Sequence, residues 1–218
     1  MKLLVNGMGW VSARGCGMVA ADWSVAFGDA GTVLSVPRET IFLQPVKNFG
    51  RLDLASRITL IAVSLALRDA GIESSPRHKR NIGIVGTGSD GSLAADIDYY
   101  RDYVENGRRL SRANLFIYTL PSSSLGEAAI HFGLTGPLLY TVDQECSTAA
   151  ALQVAASLVA DGSAPRVLAG RTEGERALYL LLSGEDERAL CTLDAAAAIL
   201  TGSFDVDAMV EEFARARG

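Results

Sequence analysis

Residues 138–162, LLYTVDQECSTAAALQVAASLVADG, decide how the chain is to be read. The stretch opens on an apolar strand, Leu138 to Val142, and passes through a tight acidic turn of Asp143, Gln144 and Glu145. It then reaches Cys146 and continues as an alanine-rich helix. Ser147 or Thr148 can cap that helix, because a hydroxyl at its start accepts one of the backbone N–H groups that have no intrahelical partner. The remaining free N–H groups and the helix dipole favour a thiolate, which makes a cysteine at this junction a candidate nucleophile. The plain alternative for Cys146 is a small residue filling a crowded turn.

The elements on either side alternate between strand and helix. Leu52 to Gly71, LDLASRITLIAVSLALRDAG, carries Leu54, Ile58, Ile61 and Leu65 on one side and Leu60, Val63 and Leu67 on another, so it reads as a helix buried between layers. Asp53 can cap its start, and Gly71 stands where helices terminate. A polar linker, SSPRHKR, leads to the strand Asn81 to Gly86, whose continuous apolar run suits a strand covered on both faces. Beyond the Cys146 helix, Arg166 to Gly170 and Ala177 to Ser183 read as two more strands. Residues 2 to 11, KLLVNGMGWV, read as a first strand running into a turn built on Gly7 and Gly9. From Ser12 to Val46 the periodicity is poor, and the expectation is a short helix near Met18 to Phe27 followed by an irregular, strand-containing loop. Residues 115 to 137 combine a Pro-Ser-Ser-Ser loop, a short helix around Leu125 to Phe132 and a Gly-Pro turn. A closing helix starts near Asp205 with Met209, Val210 and Phe213 on its inner face.

Gly86, Gly88 and Gly91 match a dinucleotide-type GxGxxG, but the acid-tipped second strand expected about 20 residues further on is replaced by a polar helix and an arginine-bearing loop. Glycines that let the chain turn off its strand are the better reading. Arg108, Arg109 and Arg112 make a local basic spot suited to an acidic partner, or simply to solvent. His131, on a mostly apolar helix, reads as a packed and hydrogen-bonded residue, and His78, between Arg77 and Lys79, as exposed.

Composition bounds the function. With 218 residues, 49% hydrophobic and 21% charged, the chain reads as one domain, residues 1–218, with a full core. No apolar run is long enough to span a bilayer, and the amino-terminal apolar stretch is too short for a signal peptide, so a cytoplasmic protein without membrane contact is expected. Three cysteines without CxxC spacing and two histidines suggest neither a disulfide framework nor a metal site. A net charge of −5 argues against nucleic acid as a partner.

The order and spacing of five strings resemble the N-terminal half of a β-ketoacyl synthase of the thiolase-like fold. They are VNGMGWVS (5–12), GRLDLASRITLIAVSLALRDAGI (50–72), IGIVGTGSDG (82–91), FGLTGPLLYTVDQECSTAAALQVAASLVADG (132–162) and RVLAGRTEG (166–174). The resemblance implies an α/β fold, a thiolase-like half layered α/β/α around a five-stranded mixed sheet. It also places Cys146 on the family's acyl-accepting cysteine.

In that family two histidines from the C-terminal half activate the extender carboxylate. That half is missing from residues 1–218, and neither His78 nor His131 falls where the family places one of them. Asp143 and Glu145 stand where the family favours small or neutral residues, and a carboxylate beside a thiol disfavours the thiolate. The expectation is therefore an accessory or chain-length-factor-like partner of a full condensing enzyme in fatty acid or polyketide assembly, aryl-polyene-type assembly included, that does not condense alone. It would work as a homodimer or as a heterodimer with a full-length ketosynthase, in contact with an acyl carrier protein. No metal or resident cofactor is implied, since any phosphopantetheine thioester would arrive on the carrier protein or as coenzyme A. The rival reading is an acyltransferase or thioesterase-like enzyme in which Cys146 carries an acyl group, and a third is an inert scaffold.

Overall fold

The structure, a computed structural model, describes residues 2–28, 31–109, 112–142, 147–184 and 189–217. Eight strands form one mixed sheet: β1 (Leu4–Val11), β2 (Gly15–Met18), β3 (Trp23–Ala26), β4 (Ile82–Thr87), β5 (Leu138–Tyr140), β6 (Arg166–Glu173), β7 (Arg176–Ser183) and β8 (Cys191–Thr192). Their order is β3-β2-β1-β7-β6-β4-β5, with β8 paired to the start of β1. β4 runs parallel to both β5 and β6, whereas β7 is antiparallel to β6 and to β1. Among the described residues the α-helices are α1 (Arg38–Ile41), α2 (Leu54–Asp69), α3 (Leu93–Glu105), α4 (Ala113–Phe116), α5 (Ser123–Phe132), α6 (Thr148–Ala160), α7 (Leu193–Ile199) and α8 (Val206–Ala216).

The sheet holds eight strands rather than five. The five expected from the sequence are β1 and β4 to β7; the short β2, β3 and β8 extend the sheet around β1. β2 and β3 stand where a helix near Met18 to Phe27 was expected. Cys16, Met18, Trp23 and Val25 follow a period of two and turn toward the core, while Asp22 at φ 49° closes the hairpin. The glycines that interrupt this segment hid that period.

Alternation along β7 explains the layering. Ala177, Tyr179 and Leu181 join the core beneath α2 and α5, whereas Leu178, Leu180 and Leu182 face α6, α7 and α8. The result is three layers, helix on sheet on helix.

α2 is the best-specified element. Asp53 caps it by accepting from the Ser56 N–H at 3.0 Å, and residues 58 to 67 are all buried. Its carboxyl end closes with Gly71 at φ 71° and with Ile72 N–H donating to Leu67 O at 2.8 Å, a left-handed C-terminal cap. Its last carboxylate, Asp69, accepts from the N–H groups of Met8, Ala20 and Ala21, tying helix to strand.

Gly7 and Gly9 lie inside β1 and not in a turn. A Cβ on Gly9 would stand 2.1 Å from Ala62 O, and one on Gly7 2.5 Å from Ala70 N, so the missing side chains let α2 lie directly on the strand. Gly9→Ala should therefore cost ~3 kcal/mol by overpacking. Urea unfolding would show this as a lower midpoint at an unchanged slope; an unchanged midpoint would contradict the contact.

Candidate functional site

Parallel pairing with β4 sets where the central stretch begins. Leu138, Leu139 and Tyr140 lie opposite Ile84, Val85 and Gly86, and the ladder is closed by Ile84 N–H to Pro137 O at 2.8 Å and Thr141 N–H to Gly86 O at 2.9 Å. The strand stops at Tyr140, two residues earlier than its apolar run suggests, and Val142 is 72% exposed. Tyr140 Oη donates to Gly88 O at 3.2 Å, pinning the turn that leaves β4.

The chain is described again from Ser147, which caps α6 by accepting from the Ala150 N–H at 3.2 Å; Thr148, the other cap candidate, is the first helical residue and is buried. The junction is thus bounded by the carboxyl end of a parallel strand and the amino end of a helix, a position where α/β proteins place ligand chemistry. Cys146, with Asp143, Gln144 and Glu145, lies outside the described residues.

A buried polar network sits beneath this edge of the sheet. Thr59 and Thr172 hydroxyls lie 2.8 Å apart, and Thr172 Oγ1 donates to Tyr179 Oη at 3.4 Å. Burial pushes the Tyr179 phenol up to about 12, so it remains protonated. Thr87, Ser124, Tyr140, Thr172 and Tyr179 line a cleft of about 20 Å³, room for one water. The sequence reading passed over these hydroxyls because they interrupt otherwise apolar strands. The signal was there in the lone tyrosine of ALYLLLS and the threonine of GRTEG.

The two histidines go elsewhere. His131 on α5 places Nε2 3.5 Å from Glu127 Oε2, and the Tyr118 hydroxyl donates to Glu127 Oε1 at 3.5 Å. These residues line a groove of about 850 Å³ on the α2 and α5 side of the sheet, whereas α6 packs on the opposite face. Burial, only partly offset by Glu127, pulls the His131 imidazole below its ordinary range, and burial pushes the Tyr118 phenol up to about 12. His78 lies in the loop between α2 and β4, exposed, bridging to the Ser75 backbone.

Burial also pushes the Cys16 and Cys191 thiols up to about 11. Of the basic spot, Arg112 is engaged by Asp102 at 2.8 Å, while Arg108 and Arg109 are exposed. Gly86 and Gly88 serve close packing: a Cβ on Gly88 would stand 2.5 Å from Thr172 O, and one on Gly86 2.7 Å from a Leu125 methyl.

The family model described as "Beta-ketoacyl synthase, N-terminal domain" matches residues 35–178. The chain belongs to the β-ketoacyl synthase family. Among curated relatives it is similar to Nodulation protein E of Rhizobium sp. (strain N33), 30% identical over 129 residues, which are 58% of this chain and 32% of that protein. Among solved structures it superposes on the ishigamide ketosynthase/chain length factor with a TM-score of 0.65 at 20% identity, covering 88% of this chain and 65% of that one. It also superposes on a chain of the complex of the ketosynthase ApeO with its chain length factor ApeC from Xenorhabdus doucetiae, with a TM-score of 0.59 at 17% identity, covering 86% of this chain and 81% of that one. The chain thus spans about a third of the curated relative and about two thirds of the first of these structures. At these identities the structural likeness shows the ketosynthase fold.

A pH experiment checks the His131 environment. Because the folded protein holds this imidazole below its unfolded value, the unfolded chain binds the extra proton, and stability falls as pH drops through the unfolded value near 6.5. Thermal melting between pH 8 and 5 should show a steeper loss for the natural chain than for His131→Gln; parallel curves would refute the assignment.

Proposed function

We propose that this chain is a ketosynthase-like partner that pairs through the open edge of β5 with a condensing enzyme of its own fold, as a chain length factor does. The observation that carries this reading is the character of that edge. β5 ends the sheet, and no strand lies beyond it among the described residues. Leu138 and Leu139 are 36% and 41% exposed, and Val142 still more so. The run LLYTV carries neither charge nor proline, the devices that normally keep an edge strand from pairing with another chain. Ile130, on the helix packed against β5, is also exposed. An equivalent edge strand of a related chain would continue the ladder and cover these side chains together. Two of the structural neighbours are a ketosynthase/chain length factor and a ketosynthase in complex with its chain length factor, and the matched chain of the second is of comparable length.

Neither histidine within these residues lies on the α6 face, so decarboxylation at Cys146 would draw its imidazoles from outside them. Each imidazole acting there as acid or base would be worth about 10² to 10⁴-fold in rate.

Size-exclusion chromatography with light scattering at micromolar concentration is expected to give a paired mass, either alone or after mixing with any full-length condensing enzyme encoded near this chain. Leu139→Glu should weaken that pairing on the order of a hundredfold while leaving the melting temperature in place. A natural chain that stays single under both conditions would end the proposal.

The cap geometry favours a second reading. Ser147 caps α6, so residue 146 immediately precedes the helix amino end, where an acyl-accepting thiolate is stabilised. Incubation with acyl carrier or coenzyme A thioesters should then give an acyl adduct by intact mass that Cys146→Ala lacks. No adduct would remove this reading and leave the partner role standing.

A further inference from the structure

We infer that the groove on the α2 and α5 face is a binding site for a long-chain carboxylate, separate from the junction at Cys146. Its volume, about 850 Å³, lies in the range of small-molecule pockets. Its walls come from residues 42–48, the α4 to α5 connection and the outer side of α5. Leu43 and Ile117 stand at the rim, each more than half exposed, while Phe42 and Phe132 form the buried floor. Such an apolar trough in water is stabilised by a hydrocarbon occupant.

The rim supplies the choice of head group. Lys47 and Arg51 both line the groove, both are exposed, and no described carboxylate lies within salt-bridge distance of either. Glu127, the one carboxylate among the described lining residues, is hydrogen-bonded by Tyr118 and contacts His131, and the two cations outnumber it. Two uncommitted cations beside an apolar trough fit an anion at the head of an apolar tail, with the guanidinium able to take a carboxylate by two hydrogen bonds. A quaternary amine would meet repulsion at the same place, and an uncharged ester or thioester would forgo the attraction. The groove lies on the face of the sheet opposite the one that α6 covers. The inference does not rest on the partner role proposed above.

The test is isothermal titration of the full chain with sodium dodecanoate below its micelle concentration. The comparators are dodecyltrimethylammonium, the N-acetylcysteamine thioester of dodecanoate, and acetate. One saturable site is expected for dodecanoate, with at least tenfold weaker binding of every comparator. The double variant Lys47→Glu/Arg51→Glu and the rim variant Leu43→Asp should each weaken dodecanoate at least tenfold, whereas Cys146→Ala and Leu139→Glu leave it unchanged. The assignment is overturned by an absence of saturable binding, by equal binding of the ammonium or the thioester, or by indifference to the charge reversals. Loss of binding in Cys146→Ala would also overturn it, by moving the ligand to the other site.

Discussion

Helix α2 lies on strand β1 with no side chain between them at Gly7 and Gly9, and this is the constraint on which the rest of the architecture depends. Ala62 and Ala66 of the helix meet Gly9, and Ala70 meets Gly7, at distances that no larger residue allows. That contact sets the depth of the helix layer. Asp69 then fixes its axial position by gathering three backbone donors from β1 and the following segment. With α2 seated, Arg68 reaches the carbonyls of Thr40 and Ile41 and Ser64 donates to Ile41 O, so the long irregular segment after β3 is drawn down over the helix. The groove along residues 42–48 exists because that segment is held by a few polar anchors instead of a regular element.

The same sheet separates two chemistries. On one face, α6 delivers its capped amino end to the carboxyl edge of the parallel strands; on the other, α5 carries His131 and Glu127 into an apolar trough. The network of Thr59, Thr172 and Tyr179 lies between α2 and the sheet, hydrogen-bonded where it is buried, as interiors require. Its hydroxyls are neutral, so they orient neighbours without adding charge near the junction.

Most of the framework was legible in the sequence, for identifiable reasons. α2 announced itself through a strong apolar period, an aspartate cap and a terminal glycine, and β4, β6 and β7 through continuous apolar runs between turns. The β2 and β3 hairpin was not legible: each strand has only four residues, and in β2 two of the four are glycine, so a period of two hardly shows along the chain. Gly7 and Gly9 were misread as bend residues because a glycine's neighbour across space cannot be seen along the chain. At the candidate site, the strand, the cap and the helix were all foreseeable from residues 138–162. The hydroxyl network and the groove were not, since both are assembled from segments far apart in sequence.

The Asn6 side chain accepts from the Ser183 hydroxyl at 2.8 Å, and β1 is flanked over its whole length by β7. β1 therefore waits for β7, with Asn6 and Ser183 separated by 177 residues, before the middle of the sheet can close. Chains organised in this way fold slowly, since the entropy of a very long loop must be overcome before the central ladder forms. Until then β1 has only its hairpin neighbour and the helix resting on its glycines for company. A nascent chain stalled before residue 176 would present an unzipped sheet, making synthesis itself the period of greatest exposure to aggregation and to chaperones.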